Sequence, residues 1–95
     1  MQPCIYILAS GYNGKLYVGV TSVVPQRMWQ HREEIFDGFT KRYGVKMLVH
    51  YEPHASIKAA ILREKQLKRW NRAWKIRLIE RGNPDWRDLY PDIAI

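Results

Sequence analysis

The chain has 95 residues, enough for one domain and too few for a second core. Its 46% hydrophobic and 13% aromatic content predicts a packed globule and excludes a disordered tail. Sixteen Lys and Arg against nine Asp and Glu leave a net charge of +7, which selects polyanions as partners, nucleic acid before an anionic membrane surface. A single cysteine, Cys4, excludes an intrachain disulfide framework and a multi-cysteine zinc site. No stretch approaches the ~20 apolar residues that span a bilayer. Met1-Gln2-Pro3-Cys4 lacks the charged and apolar regions of a secretory signal, so the expectation is a cytoplasmic protein with no membrane attachment.

Residues 4–9 and 15–20 are β-prone runs separated by Ser10-Gly11-Tyr12-Asn13-Gly14, and Asn-Gly between such runs predicts a hairpin. Thr21 or Ser22 can cap a following helix, with Pro25 suited to its first turn. That helix is expected over 25–36 and closes at Asp37-Gly38. Residues 46–52 read as a third strand, with Met47, Val49 and Tyr51 alternating against Leu48 and His50 until Pro53 ends it. Ser56 caps a helix to about Trp70, and a bend near Asn71 leads into another over 74–80, stopped by Gly82. The tail around Asn83-Pro84, Trp86 and Leu89 suggests a turn and a short anchor. The order ββαβαα predicts an α+β domain over 1–95, a small three-stranded antiparallel sheet flanked by helices.

Strand parity brings the two tyrosines of the hairpin together. A two-residue loop pairs Tyr12 with Lys15, and a four-residue loop pairs Ser10 with Lys15. In both registers Tyr6, Leu8, Tyr17 and Gly19 share a face. The longer loop makes the tyrosines diagonal neighbours, roughly 7–8 Å apart at their backbones. The shorter one separates them by about 13 Å. Two tyrosines on one strand face also serve as ordinary core cover. Gly19 weakens its strand unless something must approach the backbone closely.

Arg27 and His31 stack four residues apart on one helix face, a pattern shared by phosphate-binding sites and by plain solvated faces. On the longer helix, Ile57, Ala60, Ile61, Glu64, Leu67 and Asn71 form one stripe, which Glu64 and Asn71 interrupt. A carboxylate there is costly unless it is paired or bound to metal, and Lys68 at i+4 offers a structural ion pair as the competing account. From Arg63 to Arg81 there are eight basic residues against two glutamates, with Trp70 and Trp74 among them. Such a segment suits contact with a nucleic-acid backbone, while the tryptophans read more readily as core than as stacking platforms.

Taken in order, these residues resemble the GIY-YIG nuclease superfamily. Cys4-Ile5-Tyr6 stands where the first signature triplet belongs and Tyr17-Val18-Gly19 where the second does. Arg27 and His31 match the helix positions that follow, Glu64 the single metal-binding glutamate and Asn71 the downstream asparagine. The resemblance runs over about 4–89 and is closest to short standalone bacterial members that are excinuclease-C-like, similar to the N-terminal domain of that DNA-repair nuclease. Gly38-Phe39-Thr40 with Arg42-Tyr43, and Asn83-Pro84 with Trp86 and Asp88-Leu89, are familiar in them. Cys4 departs from the first glycine, and Val20-Thr21-Ser22 follow the second triplet where many relatives carry a lysine.

The resemblance implies a metal-dependent endonuclease that hydrolyses DNA phosphodiesters, with RNA the other candidate ligand. Glu64 would hold one Mg²⁺ or Mn²⁺ with water and phosphate, and Arg27 would hold a phosphate oxygen. The general base would be Tyr6 or Tyr17, although a phenol with an ordinary pKa of about 10 needs help from nearby cations. His31, with an ordinary pKa of about 6.5, is the rival base, and Asn71 would position Glu64 or the phosphate. Arg27, Lys41, Arg63, Lys65, Lys68, Arg69 and Arg72 are the expected nucleic-acid contacts. The alternative is a non-catalytic nucleic-acid-binding module on the same fold, and a protein partner could supply specificity in either case.

Overall fold

In the computed structural model, residues 2–34 and 38–93 are described. The sheet has the order β2-β1-β3, with β1 (Cys4–Ala9) central between β2 (Leu16–Thr21) and β3 (Met47–Pro53), antiparallel to both. The helices are α1 (Val24–Arg32), α2 (Phe39–Tyr43), α3 (Ile57–Arg69), α4 (Arg72–Gly82) and α5 (Tyr90–Ile93). The expected α+β architecture is present, with α2 and α5 added to the expected order.

Every residue of β1 is buried, as a central strand covered on both faces must be. On one face Ile5, Ile7 and Ala9 pack with Val18 and Val49 beneath Ala60 and Leu67 of α3 and Leu78 and Ile79 of α4. On the other, Cys4, Tyr6 and Leu8 pack with Val24 and Met28 of α1, Val45 and Leu48, with Leu89, Tyr90 and Ile93 closing the rim. The hairpin takes the four-residue register: Ser10 N–H donates to Lys15 C=O at 3.0 Å, and Ala9 opposes Leu16. Asn13 supplies the positive φ of 54° that the turn needs.

Several sequence expectations shift. The capping hydroxyl of α1 is not at its N-cap, Val23; Thr21 Oγ1, two residues upstream, instead accepts from Val23 N–H at 3.2 Å. This helix ends at Arg32, and Glu34 is left-handed at φ 54°. The expected extension through Ile35 and Phe36 to Asp37 lies outside the described residues. The α3 stripe is narrower than drawn from sequence, because Ile57 and Ile61 are exposed and Ala60 and Leu67 alone are fully buried.

Strict alternation in β3 fails. Tyr6 opposes Tyr51 and Ile7 opposes His50, but Leu8 opposes Leu48, which leaves Val49 as an extra residue. This bulge turns Leu48 to the α1 side and Val49 to the α3 side, so Tyr51 does not share a face with Met47 and Val49. The carbonyl of Val49 is satisfied by the buried Asn83 side chain, whose Nδ2 donates to it at 3.2 Å and to Arg87 C=O at 2.8 Å. Asn83 Oδ1 accepts from Arg87 N–H at 3.0 Å, so this amide ties the C-terminal turn to the bulge. Asn83→Ala strands these buried backbone groups and is expected to cost about 1–3 kcal/mol, read as a lower urea midpoint at unchanged slope. A change within about 0.5 kcal/mol would sink the assignment.

Candidate active site

Tyr6 and Gly19 face each other across the β1–β2 ladder. Because Gly19 has no side chain, the Tyr6 ring lies over it, and a methyl group there would run into Cζ and Oη of the phenol. The close approach anticipated at Gly19 is therefore made by Tyr6. Tyr17, one diagonal step along β2, brings its ring centroid to 6.4 Å from that of Tyr6.

Helix α1 closes over the two rings. His31, four residues after Arg27, sits 5.8 Å from each ring centroid and takes an edge-on orientation to Tyr6. Its Nε2 lies 3.1 Å from Tyr6 Oη, a buried hydrogen bond. Burial, and then the Arg27 charge, hold the imidazole below its ordinary pKa, which favours its neutral form near pH 7. Tyr6 is 1% exposed. Burial pushes its pKa up and a Tyr17 charge adds to that, Arg27 opposes through its own charge and a hydrogen bond, and Glu64 raises it further; the outcome is about 12.

The influence of Glu64 at the Tyr6 phenol links α3 to the hairpin and α1. Glu64 is 16% exposed, and its carboxylate is 3.2 Å from Lys68 Nζ, a lysine that is itself 53% exposed. The i+4 ion pair foreseen for this residue is thus present. A shallow groove of about 340 Å³ opens beside them, lined by Leu16, Tyr17, Val18, Phe39, Lys68 and Lys75.

Tyr6, Tyr17 and His31 thus form one ring cluster, and the charges of Arg27 and Glu64 reach the Tyr6 phenol. Asn71 serves as the N-cap of α4, its Oδ1 accepting from Trp74 N–H at 2.9 Å. Lys41, Lys65 and Arg69 lie at the surface. Arg63 is engaged internally, with Nε and Nη2 on the Glu52 carboxylate at 2.9 and 3.1 Å. Arg72 clasps the hairpin turn, Nη2 donating to the carbonyls of Asn13 and Gly14 at 2.7 Å each. Lys75, which the sequence did not single out, and Phe39, noted there only as a family feature, line the groove. Phe39 and Tyr43 at i, i+4 between Gly38 and Gly44 were the available signal of the short helix that carries Phe39.

Two outcomes follow. Gly19→Ala must displace the Tyr6 ring and is expected to lower stability by about 1–3 kcal/mol, measured by urea unfolding; unaltered stability would mean that the ring does not need the glycine. The Tyr6 shift carries a pH signature. A phenol at pKa about 12 when folded and near 10 when unfolded holds its proton more tightly in the native state. Its contribution is complete below pH 10 and is lost as pH rises through 12, by about 2–3 kcal/mol in total. Unfolding of wild type and Tyr6→Phe compared at pH 9 and 11 should show a steeper loss for wild type; parallel losses would contradict it.

The GIY-YIG catalytic domain model matches residues 2–77, which include every signature position from Tyr6 to Asn71. The solution structure of a UPF0213 protein from Bacillus halodurans aligns over 93% of this chain and 93% of its own, with a TM-score of 0.57 and 25% sequence identity. No curated protein matches the sequence. With its family model covering most of the chain, this protein belongs to the GIY-YIG family.

Proposed function

We propose that this domain is a divalent-metal-dependent endonuclease that hydrolyses phosphodiester bonds of DNA. The observation that carries the reading is the packing of Tyr6, Tyr17 and His31 from the hairpin and α1 into one cluster, ring centroids 5.8–6.4 Å apart, with the Arg27 and Glu64 charges within reach of the Tyr6 phenol. Core packing of a tyrosine does not call for a guanidinium and a carboxylate beside it.

The donor set suits a hard cation. Among the described residues no group of three or more His, Cys, Asp and Glu side chains could hold a metal ion. A single carboxylate is nevertheless sufficient for Mg²⁺ or Mn²⁺, which keep much of their water and take further oxygens from a substrate phosphate. Glu64 would be that ligand, with Lys68 swinging away; an exposed lysine gives up such a pair at a cost of about 0–1 kcal/mol. When bound, the cation supplies charge neutralisation at the scissile phosphate.

Arg27 would hold a non-bridging phosphate oxygen and stabilise the charge that builds up as water attacks phosphorus. Access favours one of the candidate bases. Tyr6 is buried, and its Oη and the Nε2 of His31 are engaged with each other. Tyr17 is half-buried and lines the open groove, which favours it as the base: as a tyrosinate, its phenolic proton already released to solvent, it would take a proton from the attacking water. Tyr6 and His31 then hold the Tyr17 ring in position. The attack forms a bond from water oxygen to phosphorus, one bridging oxygen departs, and that oxygen takes a proton from solvent. Asn71 acts through the α3–α4 junction that it caps.

The second reading, a binding module without chemistry, draws on the Lys68–Glu64 pair, which already satisfies the carboxylate. Supercoiled plasmid incubated with Mg²⁺ or Mn²⁺ separates the two. Wild type is expected to nick, Glu64→Ala and Tyr17→Phe to lose at least about a hundredfold in rate, and His31→Ala to lose less. Salt-sensitive binding with no metal-dependent nicking, or equal nicking by Glu64→Ala at matched purity, would overturn the nuclease reading.

A further inference from the structure

Helix α3 has two flanks. At about 100° per residue, Glu64 and Lys68 fall to one side of the buried Ala60–Leu67 line, and Arg63 and Trp70 to the other. On that second side Trp70 is partly buried against the core, while Trp74, from the first turn of α4, is 49% exposed. The two indoles meet edge to face, with centroids 5.7 Å apart and planes at 86°. The Arg63 guanidinium, held by Glu52, lies 5.1 Å from the Trp70 ring centroid and walls the site with a charge already matched.

Hollows open on both sides of the tryptophan pair. One, of about 260 Å³, is lined by Arg63, Trp70, Trp74, Arg77, Leu78 and Arg81. The other, of about 500 Å³, adds Leu62, Lys65, Gln66 and Arg69 to the same two indoles. Among the described residues, Lys65, Arg69, Arg77 and Arg81 make no ion pair and no side-chain hydrogen bond. An exposed indole beside a partner indole is apolar surface that folding did not remove from water. Four unmatched cations around it attract an anionic chain.

The chemistry that satisfies both features is a polyanion with accessible flat rings. In a duplex the base faces are stacked away, and an acidic peptide carries charge without rings. A single strand presents phosphates at the spacing of its bases and leaves those bases free to stack.

We propose that Trp74 is a stacking platform for an unpaired base of single-stranded nucleic acid, with Lys65, Arg69, Arg77 and Arg81 holding the flanking phosphates. The platform is preorganised. Asn71 fixes the backbone of Trp74 through the α4 cap, and Trp70 supports its ring, so little side-chain freedom is left to lose on binding. The site lies on the flank of α3 away from Tyr17 and does not require that the phenolic centre cut anything.

The test is binding of a short fluorescein-labelled oligothymidylate in EDTA, followed by anisotropy and by quenching of tryptophan emission. Trp74→Ala is expected to weaken binding about tenfold and to remove most of the quenching, with Trp74→Phe retaining part of both. Arg77→Ala with Arg81→Ala should reduce the salt slope by about 0.7 for each phosphate that is no longer neutralised. Since Trp74 is half-exposed and Phe keeps a ring there, folding is maintained. The proposal is overturned if Trp74→Ala binds like wild type, if a duplex of the same length shows equal dependence on Trp74, or if polyglutamate does. No metal is present and no bond is broken, so failure here leaves the cleavage reading standing, and the reverse holds.

Discussion

A missing side chain organises this molecule. Gly19 opposes Tyr6 in the ladder, and the space it leaves lets a phenol lie flat across the edge strand. Any larger residue would lift the ring away from β2, and with it the hydrogen bond to His31 and the proximity to Tyr17. The second signature triplet thus has a steric meaning: its tyrosine faces the groove, and its glycine makes room for the tyrosine of the first. Burial then does the electrical part, raising the pKa of one phenol and lowering that of the imidazole beside it, so that both are favoured in their neutral forms near neutral pH.

Helix α3 distributes chemistry by angle. Its Ala60–Leu67 line faces the sheet, one flank carries the carboxylate toward the hairpin, and the other carries Arg63 and Trp70 toward α4. The basic residues of this region look uniform in sequence but divide by partner. Glu52 holds Arg63, the hairpin turn holds Arg72, Glu64 holds Lys68, and Lys65, Arg69, Arg77 and Arg81 face solvent. Glu52 is drawn down to about pKa 2, first by its hydrogen bond with His50 and, against a burial cost, by Arg63. Arg63 therefore keeps its partner until strongly acid pH.

The parts that were legible in the sequence are those governed by local rules. Asn-Gly marked the hairpin, parity put both tyrosines on one face, and four-residue spacing put His31 above Arg27. The Ser56 and Asn71 positions fell at helix boundaries because a short polar side chain there satisfies an orphan N–H. The bulge at Val49 was not legible, since nothing local distinguishes an extra strand residue and its partner Asn83 lies far along the chain. Nor was the exposure of Ile57, Ile61 and Trp74, because periodicity gives the direction of a helix face and not the width of what covers it. The short α2 was missed because five residues are too few to show a period.

The order of the strands has a consequence in time. The central strand is the first in the chain, and its partner β2 is joined to it by a tight turn, whereas β3 must return from far along the sequence to the opposite edge. Local pairing closes in microseconds, and distant pairing waits on the larger entropy of loop closure. A nascent polypeptide halted after Thr21 would carry both tyrosines of the centre, but on a lone hairpin that is only marginally stable in water. The guanidinium, the imidazole and the carboxylate arrive only as later segments dock, so any competence for chemistry is withheld until the far edge of the sheet is zipped.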